Sequence, residues 1–457
     1  MSDGQPSKIV FHPDAARRFD ELAREILDSV GSYGRVEPPR RGPNEIHPVI
    51  EIPASDIIGE VRVEKSGVNR LGEETGRYWD SKGLLVGWEG ESFEQIKKLA
   101  HRFEMASPIK GQVSAAFLLD EVFCWLRGTL ELQRSGSLSD YIGERCSDAI
   151  EEHEIWIPVH RTYSAQDFAL GDVEFRTVSK AMMDEWFGRL FPEGIKGSSA
   201  VYAVNRERSQ IQGSIAARIR VNAERQKARE IAHAAANEAV GLLRFLSHVN
   251  WTCKIVSYCM PLGRENTLRG VELFVKDNSI LNSSKEAIDQ GPPAWSIDDA
   301  VAMSPGLLEA LQKLASNPKG TEFRRDLYDV LQLHSRSSIA AGVSHKIVFV
   351  IAAIESLLLK DSNEPIQKNL GERMAFIIGE SLEERKKIVA NVEDFYRIRS
   401  RLVHHGREAT LADVEVIDRF FLNVWLTLRR LLAEVDRYKM REELLGELED
   451  KKLSYPR

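Results

Sequence analysis

The residues whose types and spacing suit chemistry crowd into one stretch, Asn391 to Gly406, NVEDFYRIRSRLVHHG. Wound as an α-helix at about 100° per residue, it puts Val392, Phe395, Tyr396, Ile398, Leu402 and Val403 on one broad apolar arc. Arg399 falls near the middle of that arc, whereas Arg397 and Arg401 fall on the opposite, solvent-facing side. A guanidinium on a buried face is costly unless a carboxylate, a phosphate or another acceptor meets it. His404 and His405 follow within two turns, and Gly406 is placed to end the helix as a left-handed cap. These residue types allow two arrangements. An arginine fork near a histidine can hold a phosphate and move a proton close to neutral pH. The same residues can also be an arginine paired inside a helical bundle, with a histidine capping the helix end.

Other familiar chemistries leave no trace. The chain has no G-x-x-x-x-G-K-[ST] loop, no G-x-G-x-x-G and no G-x-S-x-G elbow. The four cysteines (Cys124, Cys146, Cys253, Cys259) form no C-x-x-C pair, so no zinc ribbon is expected and a reducing compartment suits them. His153 and His160 lie near Glu151, Glu152 and Glu154, but their spacing fits no H-E-x-x-H helix, and strand alternation would send neighbours to opposite faces. Neither a metal nor a cofactor is expected.

The elements that must position the stretch follow from pattern. A chain of 457 residues with 43% hydrophobic and 29% charged residues is long enough for two or three ordinary globular domains. A net charge of −7 argues against a surface that coats nucleic acid throughout, and leaves room for a local basic site. The polar start MSDGQPSKIVF does not read as a signal peptide. The longest apolar run, Ile347 to Leu359, is too short for a bilayer and carries Glu355. A cytoplasmic protein with no membrane partner is expected.

Helical spacing predicts helices over 8–33, 92–107, 113–133 and 139–151, and one long helix over about 206–248, where Ile211, Ile215 and Ile219 recur every four residues. Between Arg206 and Arg229 seven basic residues face two acidic ones, the charge of a solvated face or of a phosphate contact. Strand-like runs are VIEIP, IIGEVRVEK, EIWIPVHRTY, DVEFRTVSK, CKIVSYC and GVELFVKD, with turn signals at ALGD and DQGPPAW. After the breaker Ser316–Gly320 the pattern becomes helical only, with helices expected at about 321–338, 343–360, 366–380, 383–404 and 411–440. The second of these is apolar almost all round and should lie at the centre of a bundle. The expected architecture is α+β: a mixed α/β region of one or two domains over 1–315, a linker at 316–320, and an all-α bundle over 321–457.

Within that bundle, Arg399-Ser-Arg-Leu-Val-His404 matches the Arg-(four to six residues)-His signature of the HEPN superfamily. KIVFVIAAIESLLL resembles the family's central helix, with Ala353-Ile354-Glu355 at its core motif. NLGERMAFIIGESLEERKKI resembles the next segment, and FYRIRSRLVHHGRE the signature helix. Together they most resemble the Apea-like HEPN family, over about residues 321–440. That resemblance implies a metal-independent endoribonuclease of anti-phage defence, dimeric through this domain. Such an enzyme would be toxic if always on, so the architecture leads us to expect residues 1–315 to sense a trigger, such as a phage-derived one, and to hold it inactive until then. The resemblance implies Arg399 and His404 as catalytic residues, with Ser400 orienting either group and Glu355 accepting Arg399 across the bundle. His405 also satisfies the spacing. Arg397 and Arg401 are either solvated or RNA-backbone contacts at the cleft rim. The alternative within the same resemblance is a non-catalytic module that binds RNA or a protein partner.

Overall fold

The computed structural model describes residues 9–35, 64–132, 135–257, 259–261, 269–276, 279–287, 295–340, 342–360, 364–405 and 409–454. Contacts divide the chain into two compact units, at positions other than 315–321. One comprises 1–153 with 221–231, the other 154–220 with 232–457.

In the first unit, helix α1 (Pro13–Asp28) begins with a proline at its first turn, and the His12 ring accepts from the Asp14 amide. It is shorter than the expected 8–33, because Pro13 and the Ser29 cap bound it. Four strands, β1 (Gly31–Arg35), β2 (Glu64–Val68), β3 (Glu74–Ser81) and β4 (Leu84–Glu89), form an antiparallel sheet in the order β1-β4-β3-β2. Helices α2 (Gly90–Glu104), α3 (Ala115–Leu132) and α4 (Leu138–Ala149) complete the unit. Phe19, Ala23 and Ile26 share one face of α1, and they pack in a core with Trp79, Trp88, Phe93, Phe103 and Phe123. Each such aromatic is worth about 1.5–3 kcal/mol in buried area. The Trp88 indole also donates to the Ile26 carbonyl at 2.9 Å, which satisfies its one polar atom. The runs VIEIP and most of IIGEVRVEK lie outside the described residues.

The rest of the chain continues with β5 (Glu151–Pro158), β6 (Thr162–Tyr163), β7 (Phe168–Leu170), β8 (Val173–Thr177), α5 (Lys180–Leu190), α6 (Ser198–Ile211), β9 (Ile215–Ala223) and α7 (Arg225–Arg244). Then come β10 (Arg269–Lys276), β11 (Ser279–Ala287), β12 (Trp295–Ser296), α8 (Ile297–Met303) and α9 (Leu307–Ser316). ALGD makes the β7–β8 hairpin, with Gly171 at φ 60°. DQGPPAW lies outside the described residues up to Ala294. The long helix expected over 206–248 does not exist. Gly213 at φ 84° ends the α6 segment, β9 follows, and a new helix starts at Arg225. The physical reason is arithmetic: a spacing of four is a multiple of two, so Ile211, Ile215 and Ile219 suit a strand as well as a helix. In β9, Ile219, Val221 and Ala223 are buried while Arg220 and Asn222 are exposed, which is strand alternation. CKIVSYC is not a strand either, over the residues described. The Cys253 amide donates to the Asp418 carboxylate at 2.7 Å and the Ser257 amide to the Ser338 carbonyl at 2.7 Å, so its donors are spent on helices.

Six helices close the chain: α10 (Glu322–Ile339), α11 (Val343–Leu358), α12 (Ile366–Ile378), α13 (Leu382–His405), α14 (Leu411–Ala433) and α15 (Arg441–Ser454). Four start and stop within about two residues of expectation. The fifth expected helix, 411–440, breaks at Glu434, and α15 follows. Asp436, in the break, pairs with both Arg324 and Lys313 at 2.5 Å, and the Lys439 carbonyl accepts from the Phe323 amide. Helix α11 is buried along Ile347, Val350, Ile351, Ile354 and Leu358, but one stripe departs from the all-round burial expected of it. Val348 is 49% exposed, and Phe349, Ala352 and Glu355 are only partly covered. With sheets toward the N-terminus, helices toward the C-terminus and mostly antiparallel described pairings, the fold is α+β. No helix among the described residues is long and apolar enough to cross a membrane.

Candidate active site

Helix α13 presents its chemistry because its other face is locked. Val392, Phe395, Tyr396, Ile398 and Leu402 are buried, as the helical arc requires. The Phe395 ring stacks on Phe420 of α14, with centroids 3.7 Å apart and planes 8° from parallel. Asn391 donates to the Val416 carbonyl at 3.0 Å and accepts from Asn423 at 2.9 Å. These contacts fix the rotation of α13 about its axis, and with it the face on which Arg397, Arg399 and Arg401 stand.

Arg399 emerges at the edge of this packed face, half-buried. Its guanidinium carbon lies 5.7 Å from the centre of the Tyr396 ring, one turn earlier. Its Nε is buried and has no hydrogen-bond partner among the described residues. A cation over a tyrosine face contributes about 0.5–1 kcal/mol when exposed and about 2 kcal/mol when desolvated. An unsatisfied buried donor costs about 1–3 kcal/mol, more when charged. The second effect is the larger, so the site favours an acceptor that can reach Nε.

Glu355 does not fill that role. Its carboxylate accepts from the Tyr396 hydroxyl at 2.5 Å, and it makes no ion pair with Arg399. The expectation that Glu355 accepts Arg399 is therefore corrected: the tyrosine takes the carboxylate. Tyr396, read from the sequence only as part of the apolar arc, is the residue that joins the cluster. Burial, then the bond and charge of Glu355, hold its hydroxyl well above the usual tyrosine range, with Arg399 opposing. It therefore stays a proton donor over any working pH. The available signal was its place three residues before Arg399 on one helical face.

The flanking arginines have partners. Arg401 donates to Asp413, which also accepts from the Thr410 amide and hydroxyl in the capping box of α14. Burial would raise Asp413, but the bonds from Thr410 and then Arg401 outweigh it and hold the carboxyl below its usual range. Arg401 is thus part of a helix cap. Arg397 is exposed and pairs with Asp394 one turn back. It also lines a 670 Å³ groove with Glu364, Pro365, Ile366, Gln367, Lys368 and Glu393. Ser400 is exposed. The helix backbone runs through His404 and His405, whose side chains lie outside the described residues, as does Gly406.

Elsewhere the candidate groups are spent locally. Three arginines of the basic stretch 206–229 pair with acids from other elements. Arg208 meets Asp184 at 2.5 Å, Arg218 meets Glu154 at 2.6 Å and Glu174 at 2.8 Å, and Arg220 meets Glu154 at 3.3 Å. Arg218 holds the Glu154 carboxyl down to about 2. No group of three or more His, Cys, Asp or Glu residues among those described is placed to hold a metal ion. Comparison with family models, with curated proteins and with solved structures returned no match.

Proposed function

We propose that the chain is a metal-independent endoribonuclease, with Arg399 and a histidine at the end of α13 as its catalytic pair. The observation that carries this reading is the buried, unpartnered Nε of Arg399, set on a helix whose rotation is fixed and close in sequence to two histidines. Cleavage begins when a ribose 2′-OH attacks the neighbouring phosphate, so the nucleophile belongs to the substrate and DNA is excluded. His404 exchanges the proton; His405 has the same reach in sequence. Arg399 grips the phosphate with its fork and stabilises charge added in the transition state. The products are a 2′,3′-cyclic phosphate and a 5′-OH. The resemblance of residues 321–440 to the Apea-like HEPN family supports this reading. In that family two signatures face each other in one cleft. The partly bare stripe of α11 through Val348, Phe349 and Ala352, which leads to Glu355, suits pairing with a second copy. In the same reading the N-terminal region restrains the enzyme until a phage-derived trigger engages it, inside the cytoplasm.

The test is cellular. Wild type, Arg399→Ala and His404→Ala are expressed, challenged with phage, and followed by growth and by total RNA, with circular dichroism as the check on folding. Protection or toxicity with RNA cut by the wild type, and inert folded variants, is the expected result. Folded variants that behave like the wild type would sink the catalytic assignment and favour a non-catalytic module that binds RNA or a protein partner.

A further inference from the structure

Tyr396 stands between the two charged groups of the site. Its ring lies 5.7 Å from the Arg399 guanidinium carbon, and its hydroxyl donates at 2.5 Å to Glu355 on the facing helix α11. The side chain is 6% exposed, so water does not compete for that hydroxyl. A carboxylate and a guanidinium in reach of each other can close into a bidentate pair. Here they do not: the hydroxyl engages Glu355, the ring engages Arg399, and Arg399 Nε has no acceptor among the described residues.

We propose that Tyr396 is a positioning residue that keeps Glu355 off Arg399, so that the guanidinium stays open to a phosphate of the RNA strand. This rests on the ribonuclease reading of Arg399. The tyrosine acts at both ends. Its hydroxyl gives the carboxylate a donor that adds no charge. Its ring holds the cation without using any of the cation's hydrogen bonds. Burial keeps that hydroxyl protonated, so the separation does not lapse as pH changes.

Tyr396→Phe separates the two functions, because it keeps the ring and removes the donor. Glu355, half-buried and deprived of its partner, turns to the guanidinium on the other side of the same ring and occupies Arg399. Cleavage of a fluorophore-labelled, mixed-sequence, single-stranded oligoribonucleotide at saturating concentration should fall about tenfold to a hundredfold, the range of one charge-assisted bond. Adding Glu355→Gln removes the competing charge. The Tyr396→Phe/Glu355→Gln protein should recover to within about threefold of Glu355→Gln alone. A purely structural tyrosine predicts no such recovery, so a double variant as slow as Tyr396→Phe overturns the proposal, as does an unimpaired Tyr396→Phe. Should Tyr396→Phe fail to fold by circular dichroism, the double variant is read against Glu355→Gln alone. Equal rates support the proposal, since no carboxylate is left to restrain, and a tenfold deficit overturns it. Arg399→Ala runs in parallel. No cleavage by the wild type, or cleavage undiminished in Arg399→Ala, overturns the ribonuclease reading itself and the proposal with it.

Discussion

His334 on α10 makes stability depend on pH in a way that one substitution isolates. Its ring is fully buried, packs edge-on against Phe245 at 5.7 Å, and has no hydrogen-bond partner at either nitrogen among the described residues. Burial alone pushes it down to about 4 from its usual 6.5. The folded protein therefore refuses a proton that the unfolded chain accepts, and stability is lost as pH falls from about 6.5 to about 4, then levels off. At pH 5 the binding polynomials of the two states differ by a factor of about 30, equivalent to about 2 kcal/mol; at pH 7.5 the factor is about 1.1, which is negligible. His334→Leu removes the titration and changes the packing. The packing change is the same at both pH values, so it cancels in the comparison. Urea unfolding of wild type and variant at pH 7.5 and pH 5 should show the variant losing about 2 kcal/mol less than the wild type between them. A difference under about 0.5 kcal/mol would refute the argument, because His334 would then be reaching water or a partner in the folded state.

Three further outcomes follow. Arg399→Ala and Arg401→Ala should part company: the first abolishes RNA cleavage in the fold-checked assay, while the second leaves cleavage within about threefold and costs up to about 1 kcal/mol of stability, because Arg401 serves a part-exposed helix cap. Thr410→Ala removes the N-cap of α14 and should cost about 0.5–2 kcal/mol in urea unfolding with no loss of cleavage rate per folded molecule. Val348→Asp puts a charge on the bare stripe of α11; under the proposed pairing, light scattering should give a dimer mass for the wild type and a monomer mass for the variant, and equal masses would remove that stripe from the interface.

Much of the α-helical C-terminus was legible because long apolar periodicity is a local property. Phe395, Ile398 and Leu402 must share a face in any helix, and they do. The half-buried state of Arg399 followed from the same geometry. What escaped depended on partners remote in sequence or on an ambiguous period. The spacing of Ile211, Ile215 and Ile219 fits two structures, and pairing with β8 put Ile215 and Ile219 in a strand while Ile211 ends α6. The break at Glu434 carries no proline or glycine; it is made by Asp436 meeting Arg324, more than a hundred residues away. Arg401 looked free because its partner, Asp413, belongs to the next helix, α14. Tyr396 was hidden for a simpler reason: a helical wheel counts tyrosine as apolar surface and does not show where its hydroxyl goes.

The division of the chain also sets an order of assembly during synthesis. The first unit is not contiguous: Glu224 lies outside 1–153, yet it accepts the Ser114 hydroxyl at 2.8 Å and its own amide donates to the Gln112 carbonyl. Translation reaches Glu224 71 residues after 153, so at about 5–20 residues per second the nascent unit waits roughly 4–14 s for its last piece. Arg399 lies a further 168 residues beyond Ile231, the last residue of that unit. On the ribosome the N-terminal unit therefore has all of its residues before the helix that bears the proposed nuclease residues has left the tunnel. Under the ribonuclease proposal, a restraint supplied by that unit can be in place before there is anything to restrain.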